Sequence, residues 1–333
     1  MIGVHDKQEK RYEEMNYTYT TNVKDNDILR ASFNELTRQV FGFDFVNWYE
    51  TGHWGNMYIP HVLLDGDKVI ANVSVNLMQF VIGDEKKNYI QLGTVMTHPD
   101  YRNQGLGREI MERIMEEYTG KVDGMYLFGN DSVLEYYPKF GFKPAKEYEY
   151  YLPCEKMESV AAYRLEKVDM SNSENSEKLY DKIRECMAGD NKELTESSLL
   201  RACVSGKANN AGINPNDGLY MNENIGLYQF WIAAEYGEQI YYLPESDNYV
   251  IAAIEENTLH IYQIFGKQKA NMKRLAKAFG ENVKEVQLHY TPACKDEYAV
   301  REHKEEDCTL FIMGEDLERI EKDMMMFPEL SHA

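Results

Sequence analysis

The stretch from Tyr89 to Arg108 constrains this chain most: Tyr-Ile-Gln-Leu-Gly-Thr-Val-Met-Thr-His-Pro-Asp-Tyr-Arg-Asn-Gln-Gly-Leu-Gly-Arg. An apolar, β-type run through Val95 stops at Pro99, and a loop carrying Arg102, Gly105 and Gly107 follows. An amphipathic helix begins at once, with Ile110, Ile114 and Met115 on one face and Glu112, Glu116 and Glu117 largely on the other. Two glycines one residue apart let main-chain N–H groups converge on a phosphate, because a side chain there would block close approach. The helix dipole adds positive potential at the same point. A turn that merely enters a helix would share this spacing, so the neighbouring residues must decide.

They exclude two phosphate-binding alternatives. The third glycine of a dinucleotide fingerprint is missing, and Pro99 and Tyr101 make the turn too long for that fold. A P-loop would need Gly-Lys-Ser/Thr, which is absent. Instead, Arg102-Asn-Gln-Gly105-Leu-Gly107 after a proline-closed strand end resembles the acetyl-CoA signature of the GNAT N-acetyltransferase superfamily, Arg/Gln-x-x-Gly-x-Gly/Ala. A second pattern follows in the right order. Asn130, Val133, Tyr137, Gly141 and Phe142 occupy the places of the GNAT pattern Asn-x-x-Ala-x-x-x-Tyr-x-x-x-Gly-Phe, with Val133 in the usual Ala position. The resemblance implies an α/β (α+β) fold of the GNAT acyl-CoA N-acyltransferase type, a mixed, mostly antiparallel sheet flanked by helices.

It also implies chemistry: transfer of an acetyl group from acetyl-CoA directly to an amine. On that reading Val95, Met96 and Thr97 offer main-chain groups to the pantetheine arm and the acetyl carbonyl. Asn103, Gln104, Gly105, Leu106, Gly107 and Arg108 wrap the pyrophosphate, Arg102 adds charge, and Asn130 binds the coenzyme A arm or caps the segment after it. Tyr137 matches the family's general acid, with Tyr136 as its rival in register. A phenol can protonate a departing thiolate held within hydrogen-bond reach. The base is open. Some family members place Glu on the signature strand where Gln91 stands here, and Glu50, His53 and His98 are candidates by sequence proximity alone.

Length and composition bound the rest. The chain has 333 residues, enough for two cores, and a formal net charge of −20, which argues against nucleic acid as a partner. No apolar run approaches the roughly 20 residues of a membrane helix and the N-terminus is not signal-like, so a cytoplasmic protein is expected. Five cysteines without a C-x-x-C pair read as reduced, mostly buried thiols, and no metal is expected.

Along the chain, 28–40 reads as a helix, and 41–54 is an aromatic segment expected mainly to pack. Residues 61–64 and 69–78 read as strands joined at Asp65-Gly-Asp67. Residues 147–152 read as the last strand of a catalytic domain spanning 1–155. The second domain, 160–333, reads as helix at 177–187 and 194–204 and as strand at 162–168, 225–235, 239–243, 249–255 and 258–265. Helix at 272–279 and strands at 286–290 and 309–313 complete it. That order resembles the first half, with Gly266 alone surviving in the equivalent loop, which implies a degenerate GNAT-like domain. The two halves and an apolar tail, Phe327 to Ala333, also resemble the mycobacterial enhanced intracellular survival type, in which a C-terminal carboxylate helps form the acceptor pocket. The expectation is therefore an acetyl-CoA-dependent N-acetyltransferase acting on a small primary amine rather than a protein. The rival is a non-catalytic acyl-CoA-binding or sensor protein, and homo-oligomerisation is left open.

Overall fold

The computed structural model describes residues 17–82, 85–154, 160–187 and 218–333. The helix expected at 194–204 lies outside them. By contacts the chain divides into two units: the first holds residues up to Leu77, Ile90–Val122 and Ala333, the second Met78–Tyr89 and Asp123–His332.

In the first unit, strand β1 (Thr18–Thr20) is followed by helices α1 (Asp27–Phe41) and α2 (Val46–Glu50), strands β2 (Tyr58–Asp65), β3 (Lys68–Ile82) and β4 (Glu85–Thr97), and helix α3 (Leu106–Tyr118). The division between the units falls within β3 and β4. The strand order is β1-β2-β3-β4. Asn26 starts α1, its side chain accepting from the amides of Ile28 and Leu29. Leu29, Phe33 and Leu36 are the buried stripe of α1. The aromatic segment packs as expected: Phe33 stacks on Phe45 at 5.6 Å between centroids, Trp48 on Trp54 at 5.5 Å, and Phe45 meets Tyr58 at 5.2 Å. Burying each such ring contributes about 1.5–3 kcal/mol, enough to fix the segment without ligand. Phe41 and Phe43 remain exposed.

The second unit continues with β5 (Gly124–Gly129), β6 (Lys143–Ala145), β7 (Tyr148–Pro153), β8 (Glu166–Lys167), α4 (Ser173–Met187), β9 (Leu219–Met221) and α5 (Ile225–Trp231). Then come β10 (Ile240–Leu243), β11 (Asn248–Glu255), β12 (Thr258–Phe265), α6 (Met272–Phe279), β13 (Glu285–Leu288), β14 (Ala299–Glu302), β15 (Thr309–Met313) and α7 (Arg319–Lys322). One sheet runs β14-β7-β13-β12-β11-β10-β8. Its β12–β13 pair is parallel and its other five pairs are antiparallel. Elsewhere in this unit β15 lies between β5 and β6, and β9 pairs with the end of β3.

Four expectations are corrected. The segment 147–152 does not close the first sheet, because β7 pairs with β13 and β14. Residues 309–313 do not join the second sheet, because β15 pairs with β5 and β6. A strand's partner is set by tertiary packing, not by its own alternation, so the exchange is invisible locally. Residues 225–235 are helical, and the buried side chains Tyr228, Ile232 and Tyr236 recur at four-residue spacing on one face. Finally Cys294 is disulfide-bonded, whereas Cys154, Cys186 and Cys308 are free. No sequence spacing marks such a bond.

The apolar tail docks within the second unit. Phe327 stacks on Tyr126 at 4.1 Å and its amide donates 2.7 Å to the buried Glu147 carboxylate. Thr291 Oγ1 donates to the carbonyl and accepts from the amide of Met326. Tyr236 donates to Glu329 at 2.6 Å, and Glu329 is also paired with His289.

Candidate functional site

In the first unit, β4 ends in an irregular backbone. Thr94 has φ +48°, a left-handed conformation that a β-branched residue adopts only under constraint. The constraint is a closed ring of buried hydrogen bonds. Asn72 Nδ2 donates to Ser74 Oγ at 2.9 Å and to the Thr94 carbonyl at 2.8 Å. Ser74 Oγ donates to the Tyr58 hydroxyl at 2.8 Å, and that hydroxyl meets Thr94 Oγ1 at 2.7 Å. Burial pushes the Tyr58 phenol well above its ordinary value, so it remains a donor.

Beyond the ring, Met96 is buried, and Thr97 accepts from Arg102 Nε at 3.3 Å. Arg102 thus folds back on the strand end with its charge at the loop. Asn103 (φ +63°) and Gly105 (φ +86°) both take left-handed backbone, and Tyr17 donates to Gln104 Oε1 at 3.4 Å. Alternation of ordinary and left-handed backbone turns successive N–H groups to one side, the arrangement of an anion nest. Helix α3 starts directly after Gly105 with no side-chain cap. Leu106 anchors its first turn in the core, and Arg108 runs along its surface 3.9 Å from Glu112. The amides of that turn therefore carry the positive end of a 13-residue helix without a competing side-chain acceptor.

At Gly93 the strand meets Ala333. A β-carbon there would lie 2.5 Å from the Ala333 carbonyl oxygen and 2.7 Å from its carbon, so only glycine admits this main chain so close. Two of the three base candidates are hydrogen-bonded and the third is exposed. His98 is engaged at both ring nitrogens, by Lys68 and by the Asp100 amide. His53 contacts Thr51 at 3.2 Å, and Glu50 is exposed.

In the second unit, Asn130 caps the short turn after β5: its side-chain oxygen accepts from the Ser132 amide at 3.2 Å and from the Ser132 hydroxyl. Tyr137 is buried among Tyr136, Phe142 and Phe311, and desolvation holds its phenol above the ordinary value, so it stays protonated. The loop after β12 differs from the loop after β4. Asn248 fills the space at Gly266, where a β-carbon would come within 1.9 Å of Asn248 Oδ1, and Asn248 Nδ2 donates to the Gln268 carbonyl. Helix α6 is capped by its own Asn271, which accepts from the Arg274 amide.

The open helix start, the left-handed loop and the irregular strand end coincide with a match of residues 23–145 to the acetyltransferase (GNAT) domain model. Residues 23–145 are a GNAT acetyltransferase domain. The GNAT fold extends over most of the chain. A conserved Enterococcus faecalis V583 protein of unknown function, described as a probable N-acyltransferase, superposes with TM-score 0.54 at 15% identity, covering 92% of this chain and 74% of that one. A GCN5-related N-acetyltransferase from Kribbella flavida gives 0.52 at 14%, over 89% and 70%. Eis1 from Mycobacterium abscessus gives 0.50 at 10%, over 88% and 73%. No curated protein matches the sequence. The mixed α/β architecture with two sheets is the one expected for a GNAT domain followed by a second GNAT-like domain. Among the described residues no helix is long and apolar enough to cross a membrane.

Proposed function

We propose that the chain is a cytoplasmic acetyl-CoA-dependent N-acetyltransferase that moves an acetyl group directly to the primary amine of a small molecule. Its catalytic domain is 1–155, and 160–333 is a GNAT-like domain without a coenzyme A cradle. The uncapped start of α3 behind Asn103 and Gly105 is the observation that carries the reading, since it offers main-chain N–H groups to a diphosphate. The main chain of Val95, Met96 and Thr97 would lie along the pantetheine arm, and the loop from Arg102 to Arg108 would hold the phosphates. The cap and blocked glycine of the equivalent second loop support one coenzyme A per chain.

The chemistry follows from charge. The amine attacks the thioester carbonyl, and the oxyanion that forms is met by the Val95 N–H. The carbon–sulfur bond then breaks, and the thiolate takes the Tyr137 proton. This assignment rests on the register of Tyr137 between Asn130 and Gly141-Phe142. The ammonium form of the acceptor must lose a proton before attack. The rival reading, an acyl-CoA-binding sensor, is favoured by Gln91 in the place of a catalytic carboxylate. Thiol release from acetyl-CoA with a panel of polyamines, aminoglycosides and amino acids separates the two. Release with at least one amine is expected, and binding without release with any of them would leave the sensor.

A further inference from the structure

The hydrogen-bond ring beneath β4 closes on Thr94. Ser74 donates to the Tyr58 oxygen, and the Tyr58 hydroxyl and Thr94 Oγ1 share a hydrogen bond in which either oxygen can donate. Asn72 uses both of its N–H bonds, one on Ser74 and one on the Thr94 carbonyl. Thr94 is therefore gripped twice, at its side chain and at its main chain, and both grips lead back to adjoining positions on β3. Asn72, Ser74 and Tyr58 are all buried, and Thr94 is half-buried.

This grip fixes more than one residue. Threonine at φ +48° is unfavourable without support, and the ring supplies it. In a trans peptide the carbonyl and the following N–H point in opposite directions. With the Thr94 carbonyl turned to Asn72 on β3, the Val95 N–H is turned away from β3.

We propose that Asn72, Ser74 and Tyr58 are positioning residues: they hold Thr94 in left-handed backbone so that the Val95 N–H is aimed before the thioester arrives. The inference rests on the acetyl-transfer reading above.

The test uses the property that glycine adopts φ +48° without help. Tyr58→Phe deletes the bond to Thr94 Oγ1 while keeping the ring packed. In the full-length enzyme it is expected to lower kcat roughly 10-fold or more while the KM for acetyl-CoA stays within about 2-fold. In a Thr94→Gly background the same substitution is expected to cost less than about 2-fold, because the backbone no longer needs the grip. Melting temperatures and circular dichroism confirm that each variant is folded, and Asn72→Asp, which removes the donor to the Thr94 carbonyl, gives an independent loss of kcat. Unchanged kcat in Tyr58→Phe overturns the proposal. So does an equal loss in both backgrounds, which would make Tyr58 act by another route. A wild-type protein that releases no thiol with any amine overturns the enzymatic reading itself, and the positioning role with it.

Discussion

The Ala333 carbonyl lies against Gly93, in the space where any other residue at 93 would place its β-carbon. Gly93 on the signature strand and Ala333 are thus matched to each other.

The first prediction follows from that match. Gly93→Ala must push Ala333 away, and deletion of Ala333 removes its main chain from that place. Both are expected to lower kcat about 10-fold or more with little change in the KM for acetyl-CoA, since neither touches the phosphate loop. A steady-state comparison checks this. Unchanged kcat in both variants would show that this contact does not support catalysis.

Tyr137→Phe keeps the ring among Tyr136, Phe142 and Phe311 and removes only the proton donor. A loss of about 10²-fold or more in kcat is expected, with acetyl-CoA affinity retained. Because burial raises the phenol, Tyr137 stays protonated as pH rises through neutrality. The wild-type rate is therefore expected to show no alkaline fall from this group below about pH 10. A Tyr137→Phe enzyme with wild-type kcat would return the role of acid to Tyr136 or to water.

The buried Glu147 makes stability depend on pH. Desolvation raises its carboxyl to about 7, against 4.5 for an ordinary glutamate, although the Phe327 amide and His303 favour the anion. The folded state therefore holds the proton more tightly than the unfolded chain. Stability is lost as pH rises from about 4.5 to about 7 and is flat above. Glu147→Gln can still accept from Phe327 and carries no charge. The melting temperature of this variant relative to wild type is expected to be higher at pH 8 than at pH 5, by a few degrees (on the order of 1 kcal/mol). A difference that does not change between those pH values would contradict the assignment.

The sequence made the phosphate loop legible because its chemistry is local. Glycine at a left-handed position, a proline closing a strand and a helix beginning at once are each properties of neighbouring residues, and α3 and the turn after β2 fall where their patterns place them. Helix α6 matches its expected limits, Met272 to Phe279, for the same reason. What was hidden is non-local. The ring on Thr94 draws on residues 58, 72 and 74; of these, 72 and 74 read from sequence as ordinary strand positions and 58 as part of no element. The exchange of β7 and β15 depends on partners more than 130 residues away. The helix at 225–231 was misread because β-branched and aromatic residues favour strands in isolation, and packing of its Leu227 and Tyr228 face overrode that preference.

The measurement that bears most directly on the account is calorimetric titration of the full-length protein with coenzyme A and acetyl-CoA, in wild type and in Gly105→Val. A side chain at φ +86° strains the loop and crowds its N–H groups. The account predicts saturable binding of one coenzyme A per chain, weakened about 10-fold or more by the substitution. A folded wild-type protein that takes up neither ligand, or a Gly105→Val variant that binds as well as wild type, would contradict it.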